Sequence, residues 1–220
     1  MVIQEQKDRF ITVRGSGKVT ARPDLTILDI SLVEQTMEYE QTMKRASAEI
    51  DLLRKALVSI GYDRKDLKTT NFKISSEYES YHEGNGKYRK VFSGYRCTHS
   101  LKLEFDFDTK RLGETLKAIT TSEASPSFRI SFSVKDKKAV SEELLVNAIK
   151  NASEKAEILT KAAGVRLGTI QNIDYSWGEL RVMSKTRFND ALSFSASLSM
   201  EIEPEDIDVD DSVTVVWSID

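Results

Sequence analysis

One cysteine and two histidines are the residues of this chain best suited to nucleophilic chemistry. Nucleophilic catalysis needs a Ser, Cys or Thr beside a base, and that base is commonly histidine. Cys97 and His99 lie two positions apart in an alternating stretch, so a β-strand would place both side chains on one face. A strand lacks the helix N-terminus that usually activates a thiolate, which favours a structural pair over a reactive one. His82 lies beside a glycine-rich segment and is expected to face solvent.

Metal-binding patterns are weak. Zinc prefers several Cys or His ligands at short spacing, and the three such residues here do not supply them. In the acidic run 201–211, Asp206, Asp208 and Asp210 occupy alternate positions, as the first ligands of an EF-hand loop do. That loop also needs glycine at its sixth position and glutamate at its twelfth, where this chain has aspartate and tryptophan. We therefore interpret the run as a solvated loop, with a weak cation site as the alternative.

Two glycines in the first predicted strand, Gly15 and Gly17, resemble a phosphate-binding turn only superficially. Such a turn opens a helix, with a lysine or a third glycine correctly placed, whereas another strand follows here. We interpret the glycines as marking a bulge or a close backbone approach, and we favour a bulge over a phosphate-binding turn.

Aromatic residues cluster on a predicted hairpin. Two β-like runs, DLKTTNFKISSEYESY and KVFSGYRCTHSLKLEFDF, are joined by Glu83-Gly84-Asn85-Gly86, which can supply positive φ angles. Cross-strand aromatic pairs stabilise such a ribbon, whereas exposed tyrosines on a hairpin are frequent contact residues. Both interpretations stay open for the cluster, which comprises Tyr78, Tyr81, Tyr88, Phe92 and Tyr95.

Two long helices are indicated by apolar residues spaced three and four apart, and glycines of the kind favoured at helix C-termini close both of them. The first stripe comprises Met43, Ala46, Ile50, Leu53, Leu57 and Ile60, before Gly61. The second stripe comprises Leu145, Ile149, Ala152, Ala156, Leu159 and Ala163, before Gly164. A shorter helix is predicted from Thr109, as its cap, to about Thr121.

Alternating residues predict strands at 10–19, 25–36, 128–134 and 213–219, besides the hairpin arms. The segment from Leu192 to Ile202 alternates most regularly and is either an amphipathic strand or a serine-rich linker. The fold class is therefore α+β: a long, antiparallel-rich sheet with two long helices and one shorter helix packed on one face.

We predict a single domain over 1–220, long enough to bury a sizeable core. The order strand, long helix, strands occurs twice, in 10–108 and in 126–220. A pseudo-repeat and a chance similarity of two units both explain this order. Residues from about 184 to 211 are predicted to form a flexible or edge-strand segment.

Basic and acidic residues nearly balance, with a net charge of −3, so the chain lacks the positive field that draws proteins onto nucleic acid. The N-terminus lacks the apolar core of a signal peptide, and no later run is long enough to span a membrane. As given, the chain is predicted to be cytoplasmic. It would be periplasmic or exported if a signal peptide had been removed.

The order of landmarks resembles the SIMPL-domain family from about Phe10 to Ile219. The landmarks are ITVRGSGKV with Arg22-Pro23-Asp24; Gly61, Asp66-Leu67-Lys68-Thr69-Thr70 and Phe72; Phe92-Ser93-Gly94-Tyr95; Phe132 with Lys135-Asp136; and Ala163-Gly164 with Leu167-Gly168. Two features depart from the family pattern: the missing export signal, and Glu203-Pro204-Glu205 where Pro-Gly is usual.

The resemblance implies an α+β fold with helices on one side, no recognised catalytic residues and a tendency to self-assemble. It also implies that some bacterial relatives are periplasmic or outer-membrane-associated and form ring-like or channel-like oligomers. An animal relative acts in kinase-linked signalling, and members are loosely tied to stress tolerance.

Our hypothesis is a non-enzymatic binding or scaffold protein without cofactors that acts as a homo-oligomer, with an unidentified protein or small-molecule partner. The alternative is a small-ligand carrier or an unrecognised enzyme with a pocket near Cys97 and His99. The predicted oligomer contacts are Tyr81, Tyr88, Phe92, Leu192, Phe194, Leu198 and Met200.

Overall fold

The computed structural model describes residues 9–82, 88–176, 181–189 and 202–220. In chain order the elements are β1 (Phe10–Ala21), β2 (Leu25–Thr36), α1 (Tyr39–Ser59), β3 (Lys68–His82), β4 (Tyr88–Asp106), α2 (Thr109–Thr121), β5 (Ser127–Ser133), α3 (Lys137–Ala163), β6 (Leu167–Asp174), β7 (Met183–Asn189) and β8 (Ile207–Ile219). No helix within these ranges has an apolar stretch long enough to cross a bilayer.

The α+β class, the antiparallel pairing and the set of two long helices and one short helix are confirmed. The strands form two sheets, however, and not one continuous sheet: β1-β8-β6 and β3-β4-β2-β5-β7. The chain also divides into two compact units, each of which takes its segments from separate parts of the sequence. The first unit contains 1–22, 134–184 and 205–220, and the second contains 23–133 and 185–204. The pseudo-repeat of 10–108 and 126–220 stays a prediction.

The core of the second unit lies between its five-stranded sheet and the helices α1 and α2. Alternate residues of β2 face the helices, and the pairing register places Leu28 beside Leu103 on one side and Ile130 on the other. Full burial of a leucine or isoleucine side chain contributes about 1.5–3 kcal/mol, so this row is a major source of stability. The predicted stripe of α1 is confirmed at its centre, where Ala46, Ile50, Leu53 and Leu57 are buried.

Capping residues explain where the helices begin and end. Asp108 caps α2, and its Oδ1 accepts a hydrogen bond from the backbone N–H of Arg111 at 2.6 Å. The prediction of Thr109 as this cap was therefore wrong by one residue. Asp136 caps α3 in the same way, and Gly164 ends it with a left-handed φ of 69°.

In the first unit, α3 packs on the sheet through a row that repeats every fourth residue. The row comprises Val140, Leu144, Ala148, Ala152, Ala156 and Thr160. The predicted stripe was thus wrong in part, and Leu159 is 50 % exposed. The reason lies in β1, because a Cβ atom added at Gly15 would meet the carbonyl oxygen of Ala148 and lie 2.6 Å from the Ala152 Cβ. Only small side chains fit at so close an approach.

The glycines of β1 do not form a bulge. Its pairing with β8 runs without interruption from Phe10 opposite Ser218 to Ala21 opposite Ile207. Of the two interpretations of Gly15 and Gly17, the bulge was therefore wrong and the close backbone approach is confirmed.

The last strand begins six residues earlier than predicted, at Ile207 and not at Val213. Asp208 and Asp210 lie within this strand, so their assignment to a solvated loop was wrong. Alternation explains the difference, because Ile207 and Val209 are buried while the two aspartates between and beyond them are exposed.

Candidate functional site

Cys97 and His99 both lie on the helix-facing side of β4, as their spacing predicted. The register places them opposite Glu34 and Leu32 of β2. Cys97 is 1 % exposed, and burial, followed by the neighbouring charge of Glu34, raises the pKa of its thiol. A protonated, buried thiol is a weak nucleophile.

The imidazole of His99 is engaged by β3. Its Nε2 lies 2.8 Å from the hydroxyl Oγ1 of Thr69, and its ring meets the ring of Phe72 edge to face, with centroids 5.2 Å apart. Burial is the main cause that lowers the pKa of His99, and the charge of Arg54 adds to it. The side chain is therefore neutral at pH 7, and its contacts are those of a structural residue.

Surface clefts lined by described residues of the second unit include the following two. One, of about 410 Å³, is lined by Asp51, Arg54, Lys55, Val58 and Arg64. The other, of about 330 Å³, lies on the sheet face opposite the helices and is lined by residues that include Asp29, Ser31, Ser100 and Arg129. Cys97 and His99 line neither of these clefts, so a pocket at this pair stays a prediction without support from them.

Two carboxylates of β8 accept hydrogen bonds within the first unit. Asp208 accepts from the hydroxyl of Thr20 at 2.7 Å, and Asp211 accepts from the hydroxyl of Tyr175 at 2.8 Å, which raises the pKa of that tyrosine. In the described ranges, no group of three or more His, Cys, Asp or Glu side chains is placed to hold a metal ion. An extended strand spreads successive same-face carboxylates too far apart to wrap one cation.

An aromatic row continues the helix-facing side of the second unit along the hairpin. It comprises Tyr78, Phe92, Tyr95 and Tyr39, whose successive ring centroids are 5.7, 5.2 and 5.7 Å apart. The register passes from Glu77 opposite Gly94 to Tyr78 opposite Phe92, so Ser93 is an extra residue in β4. This bulge, with a φ of 122° at Gly94, brings Phe92 and Tyr95 to the same face. The structural interpretation of the cluster is confirmed for Tyr78, Phe92 and Tyr95, and Tyr39 of α1, which was not part of the predicted cluster, extends the row.

The predicted contact residues fall in three places. Phe92 lies within the aromatic row, whereas Tyr81 lies on the opposite face with its hydroxyl on Glu79 at 2.7 Å. The backbone of Tyr88 pairs with His82, and their side chains lie outside the described residues. Leu192, Phe194, Leu198 and Met200 also lie outside them, while Ile202 at the end of that segment is buried in the core of the second unit.

The edge of β1 that does not pair with β8 is covered by polar side chains of α3. Asn151 Oδ1 accepts from the N–H of Ser16 at 3.0 Å, Asn147 donates to the carbonyl of Lys18 at 3.2 Å, and Lys155 donates to the carbonyl of Arg14 at 3.2 Å. The sequence signal for this ladder, polar residues four apart beside the small-residue row, was missed. Such contacts satisfy the edge groups that would otherwise pair with another chain.

The outer edge of β3 is different. It is the terminal strand of the five-stranded sheet and runs for 15 residues. Among the described residues, no hydrogen bond reaches this edge as those of α3 reach β1. Two aromatic side chains stand along it, Phe72 at 46 % and Tyr78 at 58 % exposure. Sequence reasoning did not name Phe72 as a contact residue, because an alternating pattern does not tell which strand is terminal.

Comparison with known proteins gives three relatives. The 26 kDa periplasmic immunogenic proteins of Brucella melitensis and Brucella abortus are each 27 % identical over 163 residues, which is 74 % of this chain and 65 % of theirs. The chain thus matches just under two thirds of the length of these relatives. The uncharacterized protein YggE of Edwardsiella ictaluri is 22 % identical over 215 residues, 95 % of this chain and 86 % of that protein.

The family model described as SIMPL, protein of unknown function (DUF541), matches residues 11–217. That match covers almost the whole chain, both units included, and agrees with the landmarks read from the sequence. The chain belongs to the SIMPL family.

Proposed function

We propose that this chain is a non-enzymatic binding or scaffold protein whose functional form is a homo-oligomer assembled through the β3–β4 hairpin. The observation that carries the proposal is the outer edge of β3, which is long and lined by exposed aromatic side chains. A strand edge with unpaired N–H and C=O groups readily pairs with another chain, and aromatic residues are enriched at protein interfaces.

The non-enzymatic part of the proposal is supported by the state of the two most reactive side chains. The thiol of Cys97 is buried and its pKa is raised, while His99 is held by Thr69 and Phe72. Activating Cys97 would require a base within hydrogen-bond reach and an open path for substrate. The contacts of this pair favour packing instead.

Light scattering coupled to size-exclusion chromatography tests the assembly. At tens of micromolar, wild-type protein is expected to elute as a homo-oligomer. Tyr78→Ser, which removes an exposed ring at the β3 edge, is expected to shift the distribution to smaller species. Val146→Ser is the matched control, because it removes an exposed apolar side chain on α3. A wild-type protein that is strictly monomeric would contradict the proposal, as would equal effects of the two variants.

The names of the Brucella relatives support the exported alternative for the location of the native protein. We propose a periplasmic site of action on that basis. Fractionation of cells that express the native gene tests it, with enrichment in the periplasmic extract as the expected result. Retention with a cytoplasmic marker would contradict it.

A further inference from the structure

We infer that β3 pairs antiparallel with β3 of a second copy, about a twofold axis at Ser75, so that two five-stranded sheets join edge to edge. The inference rests on the proposed function and deepens it, because it names the strand, the direction and the register of the contact. A twofold contact of this kind is isologous, since the same surface serves both copies.

β3 is chosen because the two long strand edges, of β1 and β3, differ in whether side chains cover their backbone groups. The edge of β1 is occupied by Asn147, Asn151 and Lys155 of α3. No described residue covers β3 in that way, and β3 contains no proline that would interrupt a new ladder. Within the described ranges, the edge of β1 is therefore covered, and the edge of β3, of similar length, is not.

The register follows from the sequence Phe72-Lys73-Ile74-Ser75-Ser76-Glu77-Tyr78. This stretch is nearly a mirror of itself, with an aromatic residue at each end and opposite charges one step inside. Antiparallel pairing about Ser75 places Lys73 opposite Glu77 of the second copy and Phe72 opposite Tyr78 of the second copy. Both contacts occur twice, and opposite charges and aromatic pairs are among the favourable cross-strand pairs.

The two kinds of contact fall on different faces, as a real strand pairing requires. The extra residue near Tyr78 belongs to β4, and the irregularity near Thr69 precedes Asn71, so β3 alternates regularly from Asn71 onward. Phe72 and Tyr78 therefore share the helix-facing side, where they contact His99 and Phe92. Lys73 and Glu77 share the other side.

Other registers lose one or both sets of contacts. Pairing about Ser76 would put Lys73 opposite Glu79 but Phe72 opposite Ser80, so the aromatic pair is lost. Parallel, in-register pairing would place Lys73 beside Lys73 of the second copy and Glu77 beside Glu77 of the second copy, and like charges repel. The arrangement about Ser75 satisfies the charges and the rings together.

Charge reversal tests the pairing. K73E alone and E77K alone each place like charges opposite one another at two points, and each is expected to weaken self-association about tenfold. An equimolar mixture of K73E and E77K places opposite charges at both points again, so mixed assemblies are expected to form with near wild-type affinity. Analytical ultracentrifugation at low salt measures this, because salt screens exposed pairs. E79K is the control, since Glu79 faces the neutral Asn71 in this register.

Disulfide trapping tests the register by itself. Directly opposed residues of an antiparallel pair have Cα atoms about 4.5–5.5 Å apart, within disulfide range. S75C is therefore expected to form a covalent dimer on mild oxidation. The two copies of S76C would lie diagonally, about 8 Å apart, and are not expected to cross-link. The native Cys97 is buried and does not compete.

The outcomes separate this inference from the proposed function. Trapping of S75C with rescue in the K73E and E77K mixture supports both. Trapping of S76C in place of S75C overturns the register. Wild-type assembly without trapping or rescue overturns the pairing of β3 and leaves the homo-oligomer standing. A strictly monomeric wild-type protein overturns both.

Discussion

Gly17→Ala should destabilise the first unit although it adds only one methyl group. The new Cβ would meet the carbonyl oxygen of Leu144 and lie 2.9 Å from the backbone nitrogen of Ala148 and 3.0 Å from the carbonyl carbon of Leu144. These atoms belong to the backbone of α3, so no side-chain rotation relieves the overlap. The helix has to move away from β1 along the row that buries Ala148 and Ala152.

The magnitude follows from two opposing effects. Overpacking a close contact costs about 1–3 kcal/mol, and backbone neighbours place Gly17 at the upper end of that range. Replacing glycine restricts the unfolded chain and returns roughly 0.4–1 kcal/mol. The free energy of unfolding should therefore fall by about 2 kcal/mol, which for a chain of this size lowers the melting temperature by about 4–8 °C.

Fluorescence of Trp217 during denaturant unfolding is a suitable assay, because this residue is buried in the cluster with Val13 and Ala152. A Trp177→Phe background leaves Trp217 as the only tryptophan. Gly113→Ala is the matched control: it lies within α2 with no atom near its added Cβ, so it should gain up to about 1 kcal/mol. An unfolding free energy for G17A within about 0.5 kcal/mol of wild type would refute the close-approach argument.

Three further predictions concern single side chains. Cys97 should react with a thiol reagent at pH 8 only at the rate at which the protein opens, because it is buried and its pKa is raised; immediate reaction would contradict this. Burial, aided by Arg54, lowers the pKa of folded His99 below its ordinary value of 6.5, so the unfolded chain takes up this proton first and stability should fall as the pH drops below 6.5. His99→Gln should flatten that dependence in denaturant titrations. Asp108→Ala removes the cap on Arg111 N–H and should cost about 1 kcal/mol of unfolding free energy, whereas Asp108→Ser should retain most of it.

Periodicity predicted α1 well because its neighbours leave room for large side chains. Ile50, Leu53 and Leu57 pack against leucines of β2 and β4, so the most hydrophobic stripe is also the buried one. In α3 the same rule misplaced the stripe. Gly15 and Gly17 draw β1 so close that alanines are selected for the contact, while Ile158 and Leu159 remain exposed.

The division into two sheets could not be predicted from local patterns, since β1 and β8 are distant in sequence and alternation carries no information on partners. The acidic start of β8 was readable in principle, because Ile207 and Val209 alternate with Asp208 and Asp210. The density of negative charge obscured it. At the candidate site, the clustering of aromatic residues on the hairpin was predicted from the sequence. The position of Phe72 at a sheet edge was not, because it depends on β3 being the terminal strand.

The pairing of β1 with β8 also has a consequence for biosynthesis. Phe10 is synthesised long before its partner Ser218, which emerges from the ribosome only after all of the residues between them have been made. The second unit, with most of its strands adjacent in sequence, can begin to fold while synthesis continues. The first unit cannot complete its sheet until then, so contacts of such long range should make it the slower of the two to form. During that interval, β1 lacks its partner strand and is expected to depend on chaperones for protection.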